Sequence, residues 1–392
     1  MRFSHTLLLL ILTLIIGSIS CLNEITSPSL IDELETDRAW QFLHRFSIYT
    51  DRIVSQKEAQ VLGSPQNVAL KINDTLRLTG SSHVTFFTYY SDDWRDIYNM
   101  NFPIKEDAHA PYSNSKSRVS AESYDLYCEK LSDSILYVLI PTFMTNVDEQ
   151  MRNCPLINDA ISSVILDLRW NGGGYVNVCT TMVDIILPQK TPYLKTLYRN
   201  DKIPDHTAEP KVDTVMWTTS NNQPTKWEGK KYAILMNGYS ASASEILIAG
   251  VRDNLPNCYT VGTSTFGKAI GQSHFYFNTT SGGGMSITSL SFYRKNGGDY
   301  HHVGIAPDST IKKTDRYGTN QLIAAATKLD KNFSPTENIA TINSITAQLS
   351  KAHSWVPEAR TCSKSRTSTT STSWKPIAIV REVYEAASLL AN

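Results

Sequence analysis

Two short apolar runs, each followed directly by small residues, constrain the fold of this chain most strongly. Val164 to Leu168 precedes Asn171-Gly172-Gly173-Gly174, and Ala233 to Met236 precedes a turn rich in Gly, Ser and Ala. Runs of this length are typical of buried strands, and helical patterns follow both turns, over about 176–186 and 242–254. Strands that alternate with helices predict a layered α/β domain.

The rest of the chain extends this pattern on both sides. We predict a helix over 29–55 and a strand over 83–89, before the α/β region, and mostly loop and edge-strand structure over 190–229. Helices from about residue 319 end the chain, interrupted by a Ser/Thr-rich loop over 363–373. Further elements are predicted as strands at 135–140, 259–262, 273–277 and 284–293 and as a helix at 147–161.

Length and charge exclude few functions. The 392 residues are enough for two or three domains. Lys plus Arg and Asp plus Glu number 37 each, so the charge is balanced. A balanced charge gives no reason to expect nucleic acid as a partner.

The N-terminus has the pattern of an export signal. Arg2 precedes an apolar run from Leu7 to Ile16, which is followed by small residues and then by Cys21. We predict that residues 1–20 are a signal peptide, with an uncleaved anchor as the alternative. Ser18-Ile19-Ser20-Cys21 resembles the lipobox of bacterial lipoproteins, except that Ser18 replaces the usual Leu, and this resemblance implies acylation of Cys21. Cleavage at an ordinary Ser-Ile-Ser site is the competing interpretation.

The cysteines suggest neither a disulfide framework nor a zinc site. Five follow Cys21, namely Cys128, Cys154, Cys179, Cys258 and Cys362. Their number is odd and their spacings match no known framework or Cys/His cluster. We therefore expect most of them to be buried free thiols.

The turn after Met236 contains the main candidate for chemistry. Ser242 lies where a strand gives way to a helix, and N–H groups at a helix N-terminus can stabilise an oxyanion. The alternative is purely structural, because Ser242-Ala243-Ser244-Glu245 fits the capping box, in which the serine satisfies backbone donors. This turn alone favours the cap.

Three blocks together favour catalysis, because they resemble the carboxyl-terminal processing peptidases, also called tail-specific proteases. Residues 164–174 are similar to the strand and Gly-rich turn of that family. Residues 237–253 are similar to its Ser-Ala-Ser-Ala-Ser-Glu block. Thr265-Phe266-Gly267-Lys268 with Gln272 is similar to its lysine block, and Gly304 to Asp308 resembles a weaker fourth block. The resemblance covers about residues 134–310.

This resemblance implies a site and a mechanism. Ser242 corresponds to the nucleophile and Lys268 to the general base, with Gln272 orienting the lysine. The N–H groups of Ala243 and of Gly173, or of a neighbouring glycine, correspond to the oxyanion hole. Ala269, Trp170 and Gly172 depart from the family pattern, which leaves the particular glycine open. The implied reaction needs no metal or cofactor.

The chemistry is consistent with this assignment. A serine hydroxyl needs a base within hydrogen-bond reach, and a lysine serves as one only when it is neutral. The lysine pKa must therefore fall well below its usual range, and burial near Phe266, Ile270 and the strand 233–236 is the expected cause. The histidines are weaker candidates: His301 and His302 are expected at the surface, and His83 is expected to be structural.

The resemblance implies an α/β fold, a crotonase/ClpP-like layered core with a small N-terminal helical domain. We expect an N-terminal region at 21–132 without a PDZ domain, a peptidase core at 133–318 and a helical segment at 319–392. The chain thus looks similar to the PDZ-less branch, with tricorn-like and interphotoreceptor retinoid-binding relatives. The expected partner is a polypeptide substrate, with membrane contact only through a lipid anchor, in a bacterial cell envelope or periplasm. The alternatives are an inactive binding protein on this fold and a small-acyl esterase or amidase.

Overall fold

The computed structural model describes eight ranges of the chain, which are residues 28–49, 53–77, 85–87, 125–144, 146–200, 211–221, 223–279 and 281–353. The predictions for the signal peptide, Cys21, His83 and the loop over 363–373 lie outside these ranges. The prediction that a PDZ domain is missing depends largely on residues 88–124, which also lie outside them.

The described residues form eight helices and eleven strands, some of which the sequence analysis did not predict. The helices are α1 Pro28–Phe46, α2 Gln56–Leu62, α3 Pro65–Arg77, α4 Val147–Arg152, α5 Val176–Ile186, α6 Ala243–Asn254, α7 Thr319–Leu329 and α8 Ile339–Ala352. The strands are β1 Thr85–Phe87, β2 Tyr127–Lys130, β3 Ile135–Leu139, β4 Ser163–Asp167, β5 Pro192–Asn200, β6 Lys211–Thr218, β7 Lys231–Met236, β8 Cys258–Gly262, β9 Ile270–Tyr276, β10 Gly284–Arg294 and β11 Ser309–Thr310.

Three predicted elements differ from the structure. The first helix ends at Phe46 instead of residue 55, because the chain turns there and the N–H of Ile48 donates to the carbonyl oxygen of Thr288. The helix at 147 ends at Arg152 instead of residue 161; Pro155 follows, and the residue before a proline disfavours helical backbone. The predicted loop over 190–229 contains two strands, β5 and β6.

Contacts divide the chain into two compact units. The first comprises Met1–Asp107, Tyr198–Asp213 and Gly271–Leu290, and the second comprises Ala108–Leu197, Thr214–Ile270 and Ser291–Asn392. In the first unit, β1 pairs with β10 in antiparallel orientation. Its apolar core joins helices α1 to α3 to β9 and β10, and Phe42 stacks on Phe275 and Phe277.

The second unit is built on a six-stranded sheet in the order β11-β8-β7-β4-β3-β2. All neighbours are parallel except β2 and β3, and every residue of β3 and β4 is buried. Helices α7 and α8 pack on the sheet with apolar residues such as Leu322 and Ile342. The α/β layered core and the N-terminal helices confirm the predicted fold class.

The sheet brings the two small-residue turns together. Strands β4 and β7 are parallel neighbours, with Asp167 as the Cα partner of Leu235. Since parallel neighbours end at the same edge of a sheet, the glycine turn after β4 and the serine turn after β7 lie side by side. Among the helices of the described residues, none has the length and apolar character that spanning a membrane requires.

Candidate active site

The serine turn is fixed to the end of β4 by its own polar groups. The Ser240 hydroxyl donates to the carbonyl oxygen of Leu168 at 2.8 Å and accepts from the N–H of Asn237 at 3.0 Å. The carbonyl oxygen of Asn171 accepts from the N–H of Ala241 at 3.0 Å and from the Ser244 hydroxyl at 2.8 Å. Ser240 and Ser244 therefore have structural partners on the neighbouring turn.

Ser242 has a backbone conformation that an ordinary helix cap does not have. Its φ is 57° and its ψ is −116°, whereas N-cap residues usually have extended backbone. A positive φ in a residue with a Cβ costs on the order of 1–3 kcal/mol and is concentrated at active sites. A strained strand-to-helix turn likewise exposes the nucleophilic serine of α/β-hydrolases. This geometry favours the nucleophile over the cap.

Glu245 nevertheless supplies one half of the predicted capping box. Its carboxylate Oε2 accepts from the N–H of Ser242 at 3.0 Å. The N–H of Glu245 itself donates to the carbonyl oxygen of Ser242 at 2.9 Å. The capping interpretation and the catalytic one are thus compatible, because the cap is made largely by the glutamate.

The glycine turn approaches Ser242 so closely that only glycine fits. A Cβ at Gly173, whose φ is 106°, would lie 2.8 Å from the Ser242 Cβ. The N–H of Gly173 donates to the Asn171 Oδ1 at 2.9 Å. The N–H of Ala243 lies in the first turn of α6, where N–H groups have no partner within the helix. Ala243 is therefore the better placed of the two predicted oxyanion donors.

A second loop, residues 265–268, is bound to the serine turn through Glu245. The carboxylate Oε1 accepts from the Thr265 hydroxyl at 2.6 Å and from the N–H of Gly267 at 2.7 Å. Its Oε2 accepts from the N–H of Lys268 at 2.7 Å. One carboxylate oxygen thus binds the main-chain nitrogens of both Ser242 and Lys268.

Two further contacts fix the path of this loop. The N–H of Phe266 donates to the carbonyl oxygen of Ser240 at 3.1 Å. Gly267 has a φ of 92°, and a Cβ there would lie 2.8 Å from the main-chain nitrogen of Gly304. The structure therefore brings together three segments that lie apart in the sequence, with Gly173 in the first, Ser242 and Ala243 in the second and Lys268 in the third.

The titratable groups of this cluster are shifted toward their neutral forms. Burial raises the pKa of Glu245 to about 7, against the effect of its four hydrogen bonds. Burial lowers the pKa of Lys268 to about 8, and the negative charge of Glu245 opposes this shift. A lysine whose pKa is close to 8 has a substantial neutral fraction at neutral to mildly alkaline pH. Such perturbed groups are typical of catalytic sites.

Gln272, Cys21, His301 and His302 are the other residues that the sequence analysis considered for the site. Gln272 lies on β9, where its amide donates to the Thr288 hydroxyl at 3.3 Å. Cys21 lies outside the described residues. His302 is exposed as expected, but His301 is half-buried, and its Nδ1 accepts from the N–H of Ala269 at 3.3 Å. The expectation of two surface histidines thus holds only for His302.

Glu245 is the functional residue that sequence reasoning missed. The sequence showed it only as the fourth residue of a capping box and as part of a serine block. The structure shows that the Thr265 hydroxyl and the N–H groups of Gly267 and Lys268 all donate to its carboxylate. The available signal was an acidic residue in the first turn of a strongly apolar, buried helix.

Comparison with known proteins agrees with the resemblance that the three blocks predict. Residues 134–311 match Peptidase family S41. This segment extends from β3 to β11 and contains both Ser242 and Lys268. The predicted similarity to carboxyl-terminal processing peptidases is confirmed.

Curated relatives are similar over about half of the chain. A probable CtpA-like serine protease of Staphylococcus haemolyticus is 28% identical over 218 residues, which are 55% of this chain and 40% of the relative. A carboxyl-terminal-processing protease of Synechocystis is 27% identical over 201 residues, or 51% of this chain and 42% of the relative. The chain thus spans about two fifths of the length of these relatives.

Solved structures with the same fold cover more of the chain. A lipoprotein from Streptococcus agalactiae has a TM-score of 0.52 and 17% identity, over 77% of this chain and 97% of that one. The photosystem II D1 C-terminal processing protease has a TM-score of 0.50 and 15% identity, over 76% of this chain and 99% of that one. At these identities the likeness shows the fold alone.

Proposed function

We propose that this protein is a serine peptidase that hydrolyses peptide bonds of exported proteins with Ser242 as nucleophile and Lys268 as general base. The observation that carries the proposal is the carboxylate of Glu245, which binds the main-chain nitrogens of both residues with one oxygen. The lowered pKa of Lys268 and the strained backbone of Ser242 support it. The match of residues 134–311 to Peptidase family S41 points the same way.

In the proposed mechanism, the Ser242 hydroxyl oxygen attacks the carbonyl carbon of the peptide bond while neutral Lys268 takes its proton. The oxygen of the tetrahedral intermediate accepts from the N–H of Ala243 and from a second donor in the glycine turn. The C–N bond then breaks, and Lys268 returns the proton to the leaving amine. Water hydrolyses the acyl-enzyme with Lys268 again as the base.

Gln272, the glycine donor and the N-terminus complete the proposal. Gln272 is assigned to orienting Lys268 because of its place in the lysine block. The second oxyanion donor is assigned to the turn 172–174, and since the Gly173 N–H already has an acceptor, its neighbours are candidates too. Export and a lipid anchor at Cys21 rest on the sequence pattern of residues 1–21.

Active-site labelling tests this proposal most directly. A fluorophosphonate should modify Ser242 in the full-length protein, as mapped by mass spectrometry of its peptides. Ser242→Ala should abolish both labelling and hydrolysis of an unfolded protein. Ser244→Ala is the matched control: it removes one hydrogen bond to Asn171 but no catalytic group, so labelling should remain.

The alternatives predict different outcomes. No labelling of the folded protein would favour a binding protein on this fold. Hydrolysis of a nitrophenyl ester without hydrolysis of an unfolded protein would favour an esterase or amidase. Labelling at a residue other than Ser242 would contradict the assigned nucleophile.

A further inference from the structure

Two cysteines that no sequence pattern pairs lie together at the edge of the six-stranded sheet. Cys128 is on β2, the outermost strand, where Val138 is its Cα partner. Cys154 lies just after α4, and its N–H donates to the carbonyl oxygen of Met151. Cys128 is half-buried and Cys154 is buried, and their side chains are in hydrogen-bonding contact.

The backbone around this pair is held by contacts of a neighbouring residue. Gln150, in the last turn of α4, accepts from the N–H of Leu126 at 2.7 Å with its Oε1. Its Nε2 donates to the Asp125 Oδ1, also at 2.7 Å. Helix α4 is therefore already fixed against the start of β2, one turn from Cys154. A bond between two sulfurs that already touch needs little backbone movement.

The two thiols differ in reactivity. The hydrogen bond from Cys128 and the N–H groups of Leu156 and Ile157 lower the pKa of Cys154, although burial opposes this. The same contact with Cys154, together with burial, raises the pKa of Cys128. The thiolate is the nucleophile in exchange with a disulfide, so Cys154 is the attacking group and Cys128 the resolving one.

Cys154 is buried, but it borders a cavity large enough for a small reactant. It forms part of the wall of a cavity of about 460 Å³, together with Ile185 and Trp227. Arg152 and Lys226 line the same cavity and are exposed. Two cations beside a thiolate suit a low-molecular-weight disulfide that carries carboxylates, such as a peptide disulfide.

We propose that Cys128 and Cys154 form a reversible disulfide that links α4 to the edge strand β2. The Cys154 thiolate attacks one sulfur of a small disulfide, whose S–S bond breaks and releases a first thiolate. Cys128 then loses its proton to water and attacks the Cys154 sulfur, which releases the second. Two protein thiols are oxidised and the small disulfide is reduced to two thiols. This modification site is independent of the proposed peptidase activity.

The test equilibrates the full-length protein with oxidised or reduced glutathione, followed by acid quenching, alkylation under denaturing conditions and peptide mapping. With oxidised glutathione, peptides containing Cys128 and Cys154 should be cross-linked, while Cys179 and Cys258 should be alkylated. The thermal midpoint of the oxidised protein should exceed that of the reduced protein by on the order of 10 °C.

Three variants sharpen the result. Cys128→Ser should accumulate a mixed disulfide with glutathione at Cys154, whereas Cys154→Ser should leave Cys128 unmodified. Both should lose the difference in thermal midpoint between oxidised and reduced protein. Cys258→Ala is the matched control and should keep it, because burial raises the pKa of Cys258 to about 12 and makes this thiol unreactive.

Clear outcomes would overturn the proposal. Alkylation of both Cys128 and Cys154 after equilibration with oxidised glutathione is one. Cross-linking of either cysteine to a different partner is another. The mapping on the wild-type protein decides the question even if a variant does not fold.

Discussion

Asp167 and Glu245 are both fully buried carboxylates near the carboxyl edge of the sheet, and both accept several hydrogen bonds. Asp167 is paired with a cation. It accepts from the main-chain and side-chain nitrogens of Arg169 and from the Tyr137 hydroxyl. Glu245 accepts from three main-chain N–H groups and the Thr265 hydroxyl, which are uncharged donors.

The pKa values of the two cations, Arg169 and Lys268, are shifted in opposite directions. Burial acts to lower the pKa of Arg169, but the charge and hydrogen bonds of Asp167, together with those of Tyr137, outweigh it, so that the pKa is raised. Its other guanidinium nitrogen, Nη1, donates to the carbonyl oxygens of Tyr317 and Gly318. For Lys268, burial outweighs the attraction of Glu245, and the pKa falls to about 8.

This difference separates a structural cluster from a reactive one. The Asp167–Arg169 ion pair joins β4 to the start of α7. In the Glu245–Lys268 cluster, the pKa values of a carboxylate and of an amine both lie near physiological pH. Groups whose charged and neutral forms are similar in free energy can exchange protons during a reaction.

The largest effect is expected from Lys268→Arg. Arginine keeps the positive charge but cannot be deprotonated in a protein, so it cannot serve as the base. Peptide hydrolysis should fall by at least about 10³-fold, as measured with an unfolded substrate, while circular dichroism shows a folded protein. Lys231→Arg, at an exposed lysine, should keep wild-type activity. A near-wild-type rate in folded Lys268→Arg would falsify the serine–lysine mechanism.

Arg169→Met should mainly reduce stability. It leaves the Asp167 carboxylate buried without a cation, which costs about 3–5 kcal/mol in free energy of unfolding, measured with denaturant. Arg252→Met is the matched control, because the Arg252–Asp308 pair is partly exposed and contributes only about 0–1 kcal/mol. Equal losses in the two variants would contradict a structural role specific to the buried pair.

Sequence alone predicted much of this fold because its core strands are short, apolar and separated by small-residue turns. Helix α5 was predicted with its observed bounds, since apolar residues dominate it and a small-residue turn precedes it. The C-terminal ends of α1 and α4 were predicted wrongly. The N–H of Ile48 donates to the carbonyl oxygen of Thr288, which takes the chain out of the helix, and Pro155 follows α4. Thr288 lies far from α1 in the sequence, so no local pattern predicts the hydrogen bond that ends this helix.

The candidate site was predictable in part for a related reason. Ser242 and Lys268 lie in motifs that their neighbours make recognisable. The Glu245 carboxylate accepts from main-chain N–H groups of residues 265–268, and main-chain donors leave no pattern of side chains in a sequence. The Cys128–Cys154 contact was missed likewise, since it depends on how α4 packs beside β2.

Glu245→Gln should disrupt the hydrogen bonds that join the serine turn to residues 265–268, with a moderate loss of activity. The amide oxygen can still accept from Thr265 and Gly267, but the NH₂ group would face the N–H groups of Ser242 and Lys268. We expect kcat to fall roughly 10- to 100-fold with a smaller change in KM, because the base is displaced from the nucleophile. Glu149→Gln, at an exposed position of α4, is the control and should leave kcat unchanged.

The smallest effect concerns the pH at which activity appears. Only neutral Lys268 accepts the Ser242 proton, so wild-type kcat/KM should rise with pH through about 8 and fall about tenfold per pH unit below it. Since the charge of Glu245 raises the pKa of Lys268, its removal in Glu245→Gln should move this midpoint to lower pH, by up to about one unit. His301→Gln is the control and should leave the midpoint near 8, because burial lowers the pKa of His301 and its imidazole is neutral in this pH range. Profiles of the three proteins, measured at constant ionic strength, separate these effects. A midpoint that stays near 8 in Glu245→Gln would show that this carboxylate fixes the geometry of the loop without setting the pKa of its base.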